Sequence, residues 1–155
     1  MAQLSMREQP EPSLVLEEYL PYLINRVGAR IAGVFSGELE PHGLSLPMWR
    51  VLAVLAEAGP QRQIDLAELT SIDASTLSRL IKTVQRLGLV TRARSTSSLR
   101  EVSIELTAQG RAVVRSLIPR ALDYEAAAVR GLSPRELDIL KTLLRRVHTN
   151  MSAAD

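Results

Sequence analysis

Apolar residues recur at three- and four-residue steps from Leu14 to Leu39. Leu16, Tyr19, Leu20, Leu23, Ile24, Val27, Ile31, Val34 and Phe35 fall on one stripe, and the spacing predicts a single long amphipathic helix. Pro21 bends it or marks a late start. Val15, Tyr22 and Leu39 lie off the stripe, so the helix carries more apolar surface than one small core covers, and a second partner for it is expected. Pro41-His42-Gly43 stops the helix. Ser45 is placed to cap the next one, with Pro47 near its first turn and Leu46, Trp49, Val51, Leu52, Val54 and Leu55 facing inward until Gly59-Pro60.

A short helix then spans Gln63 to Thr70, where the pattern favours an apolar residue in place of Thr70 and Leu69 is read as its substitute. Asp73 caps the following helix, Ala74 to Leu87. There Leu77, Leu80, Ile81, Val84 and Leu87 form one face, and Ser75, Thr76, Ser78, Arg79, Lys82, Thr83 and Arg86 form the other, before the stop at Gly88. Leu89 to Arg94 and Glu101 to Leu106 read as two strands around the polar loop Ser95 to Arg100; the second alternates Val102, Ile104 and Leu106 with Glu101, Ser103 and Glu105. Thr107 caps a long helix from Ala108 to about Arg130, expected to be interrupted near Pro119 and ended by Gly131. Ser133-Pro134-Arg135-Glu136 is a capping box opening a last helix through Leu137, Ile139, Leu140, Leu143, Leu144 and Val147.

Composition sharpens this picture in three places. The chain has 155 residues, enough for one domain with a core, and only 3% aromatics among abundant Leu, Ala, Arg and Glu, a balance that favours helices over a β-sandwich or barrel. With no cysteine, disulfides, Cys-ligated zinc, thiol nucleophiles and cysteine redox sensing are excluded together. Met1 to Ser13 is a polar tail and no apolar run approaches a membrane span, so a cytoplasmic protein without membrane contact is expected.

Charge matters through its distribution. Between Ser71 and Arg100 six cations (Arg79, Lys82, Arg86, Arg92, Arg94, Arg100) face the single acid Asp73. That local +5 leaves −3 for the remainder of a chain whose total is +2. A basic segment on a mildly acidic body is the footprint of a module that meets a polyanion through one face. Two helices joined by a tight turn, the second with hydroxyl and Arg residues outward and a hairpin after it, form a helix-turn-helix with a wing. Residues at the N-terminal end of such a second helix reach base edges in the major groove, and Arg can donate twice to guanine. Ser75, Thr76, Ser78 and Arg79 occupy that end, and Lys82 and Arg86 lie further along at phosphate height. Arg92, Arg94 and Arg100 on the hairpin suit the neighbouring backbone or the minor groove.

The residues that build this segment resemble the MarR-type winged-helix transcriptional regulators. The resemblance runs from about Leu14 to Met151 and rests on the order and spacing of several pieces: Leu44 to Leu52, Leu66-Ala67-Glu68-Leu69, Ile72 to Ile81, Leu87-Gly88-Leu89-Val90-Thr91-Arg92, and Leu106-Thr107-Ala108-Gln109-Gly110. It implies a mainly α fold with a small β-hairpin wing. The implied division is a polar tail (1–13), a dimerisation helix (14–44), a winged helix-turn-helix (45–106) and C-terminal dimerisation helices (107–151). It further implies a homodimer reading palindromic double-stranded DNA, more as a repressor than an activator, and a small aromatic or anionic effector in the crevice between the dimerisation helices and the winged helix. Arg26, Arg30, His42 and Trp49 are the candidates to line that crevice. The chain departs from the family in its wing, where an Asp usually stands two residues before the Arg; here Ser98-Leu99-Arg100 stands there.

Other chemistry finds little support. His42 and His148 have no second ligand at metal spacing, and there is no phosphate-cradling Gly-rich loop, G-x-S-x-G or H-E-x-x-H, so neither an enzyme nor a bound cofactor or metal is expected. Two alternatives to a sequence-specific regulator stay open at this level: an architectural DNA binder of low sequence specificity, which the modest total charge disfavours, and a winged helix used only for protein contacts, in which the outward arginines have no purpose.

Overall fold

The computed structural model describes residues 13–94 and 102–152. Six helices and three short strands follow in the order α1 (Leu20–Leu39), α2 (Leu46–Ala58), β1 (Gln61–Arg62), α3 (Gln63–Thr70), α4 (Ala74–Arg86), β2 (Val90–Arg94), β3 (Val102–Leu106), α5 (Ala108–Ala128) and α6 (Pro134–Ser152). The fold is therefore mainly α with a small antiparallel sheet. None of these helices is long and apolar enough to cross a membrane.

Local signals set most helix ends. The Asp73 carboxylate accepts from the Thr76 amide at the start of α4, and Thr107 Oγ1 accepts from the Gly110 amide at the start of α5. Ser133 and Glu136 form a reciprocal box ahead of α6, with the Ser133 amide donating to Glu136 at 2.8 Å and the Glu136 amide to Ser133 Oγ at 3.3 Å. Ser45, by contrast, is extended at the start of α2 without a side-chain cap bond.

The first helix starts later than its apolar stripe. Leu16–Glu18 form one 3-10 turn, Tyr19 is extended, and α1 begins at Leu20 with Pro21 in its first turn, where the missing N–H has no helical acceptor to lose. The interruption expected near Pro119 does not occur. Helix α5 runs unbroken past it, with Pro119 on the exposed side, where its ring meets solvent and not the core.

The sheet has the order β1-β3-β2, all antiparallel. Strands β2 and β3 pair from Val90↔Leu106 to Arg94↔Val102, and β1 adds Gln61↔Ile104 and Arg62↔Ser103 on the other edge. Ile104 and Leu106 turn into the core while Val102, at the far end of the ladder, is exposed. Leu52, Leu55, Leu66, Leu77, Ile81 and Val84 meet these strands in one core that Phe35 and Leu39 of α1 and Val114 and Leu117 of α5 complete.

Thr70 belongs to that core, which corrects the expectation for Leu69. Thr70 is 1% exposed, with its hydroxyl returned to the Leu66 carbonyl, whereas Leu69 is 55% exposed. The hydroxyl is thus satisfied inside its own helix, and the methyl group supplies the apolar contact the position needs. Arg50 of α2 donates to the Thr70 carbonyl at 3.1 Å and ties the end of α3 to α2.

A large apolar surface stays uncovered. No residue of α6 is buried, and Ile139, Leu140, Leu143 and Leu144 are exposed along it, as are Leu20, Ile24, Val27, Ile31 and Val34 along α1. Among the described residues α6 is tied to the rest by the Lys141–Glu125 ion pair at 2.6 Å and by His148 Nε2 against Ser71 Oγ at 3.3 Å.

Candidate nucleic-acid interface

Helix α4 presents its basic face because its apolar face is consumed by the core: Leu77, Ile81 and Val84 point inward, and the three- and four-residue steps put Arg79, Lys82 and Arg86 on the opposite side. Ser75, Arg79, Lys82 and Arg86 are exposed, while Thr76 and Ser78 are half-buried. Among the described residues none of Arg79, Lys82 and Arg86 enters a salt bridge, and the one acid that acts on them through space is Asp73, on Arg79. Hydroxyls orient two of them instead. Arg79 Nη2 donates to Thr76 Oγ1 at 3.2 Å and Arg86 Nη2 to Thr83 Oγ1 at 3.3 Å, one turn back in each case. Arg79, Lys82, Thr83 and Arg86, together with Gln85, a residue sequence reasoning did not single out, border an open groove along α4.

The N-terminal end of α4 is fixed by Asp73. Its Oδ1 accepts from Ser75 Oγ at 2.7 Å and from the Thr76 amide at 2.9 Å. The Ser75 hydroxyl, then the Thr76 amide, hold the Asp73 carboxyl far below the usual carboxylate range. A carboxyl depressed in the folded state adds stability that is fully present above its unfolded pKa of about 3.9 and is lost as pH falls further toward its folded value. Asp73→Ala is therefore expected to melt earlier than the wild type at pH 7, and the gap should narrow as melts are repeated below about pH 4. A gap independent of pH would remove the ionised cap from the explanation.

At the sheet, Arg92 of β2 is exposed and its Nη2 donates to Gln63 Oε1 of α3 at 3.3 Å, which ties the base of the wing to the helix preceding the turn. Arg94 pairs through its backbone with Val102; its side chain, and all of Arg100, lie outside the described residues.

A second candidate site lies between α1, α2 and α5. Trp49 is half-buried and packs edge-on against Phe35 at 5.4 Å between ring centroids; Tyr124 meets the same Phe35 at 5.9 Å. These three rings, with Ile31 and Leu46, line a cavity of about 280 Å³. A neighbouring cavity of about 330 Å³ shares Ile31 and Tyr124 and adds Arg30 and Val34. Trp49 and Arg30 thus border adjoining spaces. Arg26 stands a turn away on α1, pairing with Glu17 at 2.8 Å and lying over the Tyr22 ring, and His42 sits in the 3-10 turn after α1 and lines neither cavity.

Comparison with known proteins decides what these surfaces belong to. A family model described as MarR family matches residues 44–102. The HTH-type transcriptional repressor Rv2887 of Mycobacterium tuberculosis is 33% identical over 106 residues, 67% of this chain and 76% of that protein. The chain belongs to the MarR family.

Solved MarR structures extend the match beyond the winged helix. A MarR-family transcriptional regulator from Silicibacter pomeroyi superimposes with a TM-score of 0.78 at 31% identity, covering 88% of this chain and 92% of that one. Bordetella bronchiseptica BpsR, whose DNA binding is regulated by 6-hydroxynicotinic acid, gives 0.77 at 25% identity over 88% and 98%. As a MarR-family member the chain is a DNA-binding transcription regulator, not an enzyme.

The residues that sequence reasoning missed are those whose partners are distant. Glu38 of α1 accepts from Arg120 and Tyr124 of α5, 82 and 86 positions away, and Arg50 reaches Thr70 across 20. No periodicity marks such pairs, since each residue reads as a solvated helix position.

Proposed function

We propose that the protein is a ligand-responsive repressor that binds a palindromic operator as a homodimer. The observation that carries this reading is the coexistence, on one small chain, of a basic face on α4 that enters no salt bridge among the described residues and long uncovered apolar faces on α1 and α6. Exposed apolar area of that extent calls for a partner surface, and an isologous contact relates two copies of α4 by a two-fold axis, as the two halves of a palindrome are related. On this reading residues 1–13 are a tail, 14–44 and 107–151 build the dimer, and 45–106 form the reading head. Ser75, Thr76, Ser78 and Arg79 face base edges, Lys82 and Arg86 face phosphates, and Arg92, Arg94 and Arg100 follow the backbone or enter the minor groove. Sedimentation of the complex with a palindromic upstream duplex should give two chains per duplex. One chain per duplex contradicts the dimer.

The effector on this reading is a small aromatic acid or its thioester. Three aromatic edges offer a flat apolar slot, and Arg30 in the adjoining space offers a cation for a carboxylate; the regulation of BpsR DNA binding by 6-hydroxynicotinic acid supports that class. Across a panel of aromatic acids, 6-hydroxynicotinic acid among them, and their CoA thioesters, a cognate compound should raise the melting temperature and release DNA. No shift from any member of the panel contradicts this assignment.

A further inference from the structure

Tyr124 belongs to two structures at once. Its ring walls both cavities, and its hydroxyl donates to Glu38 Oε1 at 3.0 Å. The same Glu38 oxygen accepts from Arg120 Nη2 at 2.7 Å, and the Arg120 guanidinium stands 5.9 Å over the Tyr124 ring. Glu38 lies on α1 and the other two on α5, so the polar bridge between these helices and the aromatic wall of the cavity share one side chain. Arg120, then Tyr124, hold the Glu38 carboxyl below its ordinary range, and Glu38 raises the Tyr124 phenol, so near neutral pH the bond joins a carboxylate to a neutral phenol. Pro119 directly precedes Arg120 and removes one backbone hydrogen bond from α5 at that point.

We propose that Glu38, Arg120 and Tyr124 form a latch through which a molecule in the aromatic cavity changes the packing of α1 against α5. The latch rests on the reading of that cavity as the effector site. A molecule that fills the cavity presses on the Tyr124 ring, and the ring yields only by taking its hydroxyl off Glu38. Glu38 then answers to Arg120 alone, and α1 and α5 settle into a different arrangement. Both helices continue into the dimer frame proposed above, so the spacing of the two α4 helices follows. Ligand and DNA then weaken each other by the same factor, which is the coupling to be measured.

The probe is 4-nitrobenzoate, an aromatic acid that quenches indole on contact, and the reporter is Trp49, the one tryptophan in the chain. Its dissociation constant is read from saturable Trp49 quenching, with and without a saturating upstream duplex, for the wild type, Tyr124→Phe and Glu38→Ala. Tyr124→Phe keeps the ring and removes only the hydroxyl; Glu38→Ala removes the acceptor without touching the cavity lining. The latch predicts that duplex weakens probe binding at least about fivefold in the wild type, at the lower end of allosteric couplings, and less than about twofold in both variants. A bridge that merely stabilises the fold would lower melting temperature and leave this ratio intact. An undiminished ratio in both variants, or a wild-type ratio near one, overturns the latch alone. Absence of saturable Trp49 quenching in the wild type by 4-nitrobenzoate and by every member of the aromatic-acid panel overturns the effector-site reading and the latch with it.

Discussion

Gly110→Ala should cost the protein about 3 kcal/mol of stability, the upper end of the range for overpacking, and lower its melting temperature by roughly 6–12 °C for a chain of this size. The expectation reverses the usual sign. An alanine in a helix is ordinarily better than glycine by about 0.5–1 kcal/mol. Here a Cβ on Gly110 falls 2.0 Å from the Leu89 carbonyl oxygen and 2.9 Å from its carbon, both backbone atoms. Neither can swing aside as a side-chain end would. The same carbonyl accepts from the Thr107 amide at 3.0 Å, and Thr107 Oγ1 donates to the Gly88 carbonyl at 2.6 Å. The start of α5 and the start of β2 are thus fastened within one turn of the clash. Relief requires the two elements to part, which loosens the wing base and the Val114 contact beneath it. Thermal and denaturant unfolding at a fixed protein concentration measure the loss. A melting temperature within a degree or two of wild type would contradict this packing of α5 on β2.

Arg79→Ala should weaken operator binding by about 1–3 kcal/mol and relax base preference at one position in each half-site. Arg79 is exposed, outside any salt bridge among the described residues, and held by Thr76 one turn from the capped end of α4. Holding the side chain in the free protein reduces the entropy lost when it docks. Arg92→Ala is expected to behave differently. As a residue facing phosphate, it should lower affinity on all sequences to a similar degree and flatten the salt dependence by about one charge. Fluorescence anisotropy on the operator and on single-base variants separates the two. Normal operator binding by Arg79→Ala would mean that α4 does not enter the groove by its N-terminal end.

How legible these features were in the sequence depended on range. The caps at Asp73, Thr107 and Ser133 act within three residues, and each forms where the sequence places it. The α4 stripe is equally local, because a period of 3.6 separates Leu77, Ile81 and Val84 from Arg79, Lys82 and Arg86 whatever the helix packs on. Strand β1 escaped notice because two residues, Gln61 and Arg62, have no alternation to read; their pairing is decided by β3, some 40 positions on. Pro119 misled because a proline's effect depends on which side of the helix faces water. Thr70 misled because a hydroxyl satisfied within its own helix behaves as a small apolar side chain. In the proposed effector region the sequence supplied Trp49 and Arg30 but not their neighbours. Tyr124 and Phe35 come from helices about 90 residues apart, and only tertiary packing brings their rings together.

The most direct test of sequence-specific recognition is the affinity of the purified protein for its own upstream DNA against a scrambled duplex of equal length, at two salt concentrations. A sequence-specific regulator predicts a preference of roughly a thousandfold or more for the upstream site, retained in higher salt while both affinities fall. Equal affinities for the two duplexes, falling together with salt, would contradict base reading by α4 and leave an architectural binder in its place.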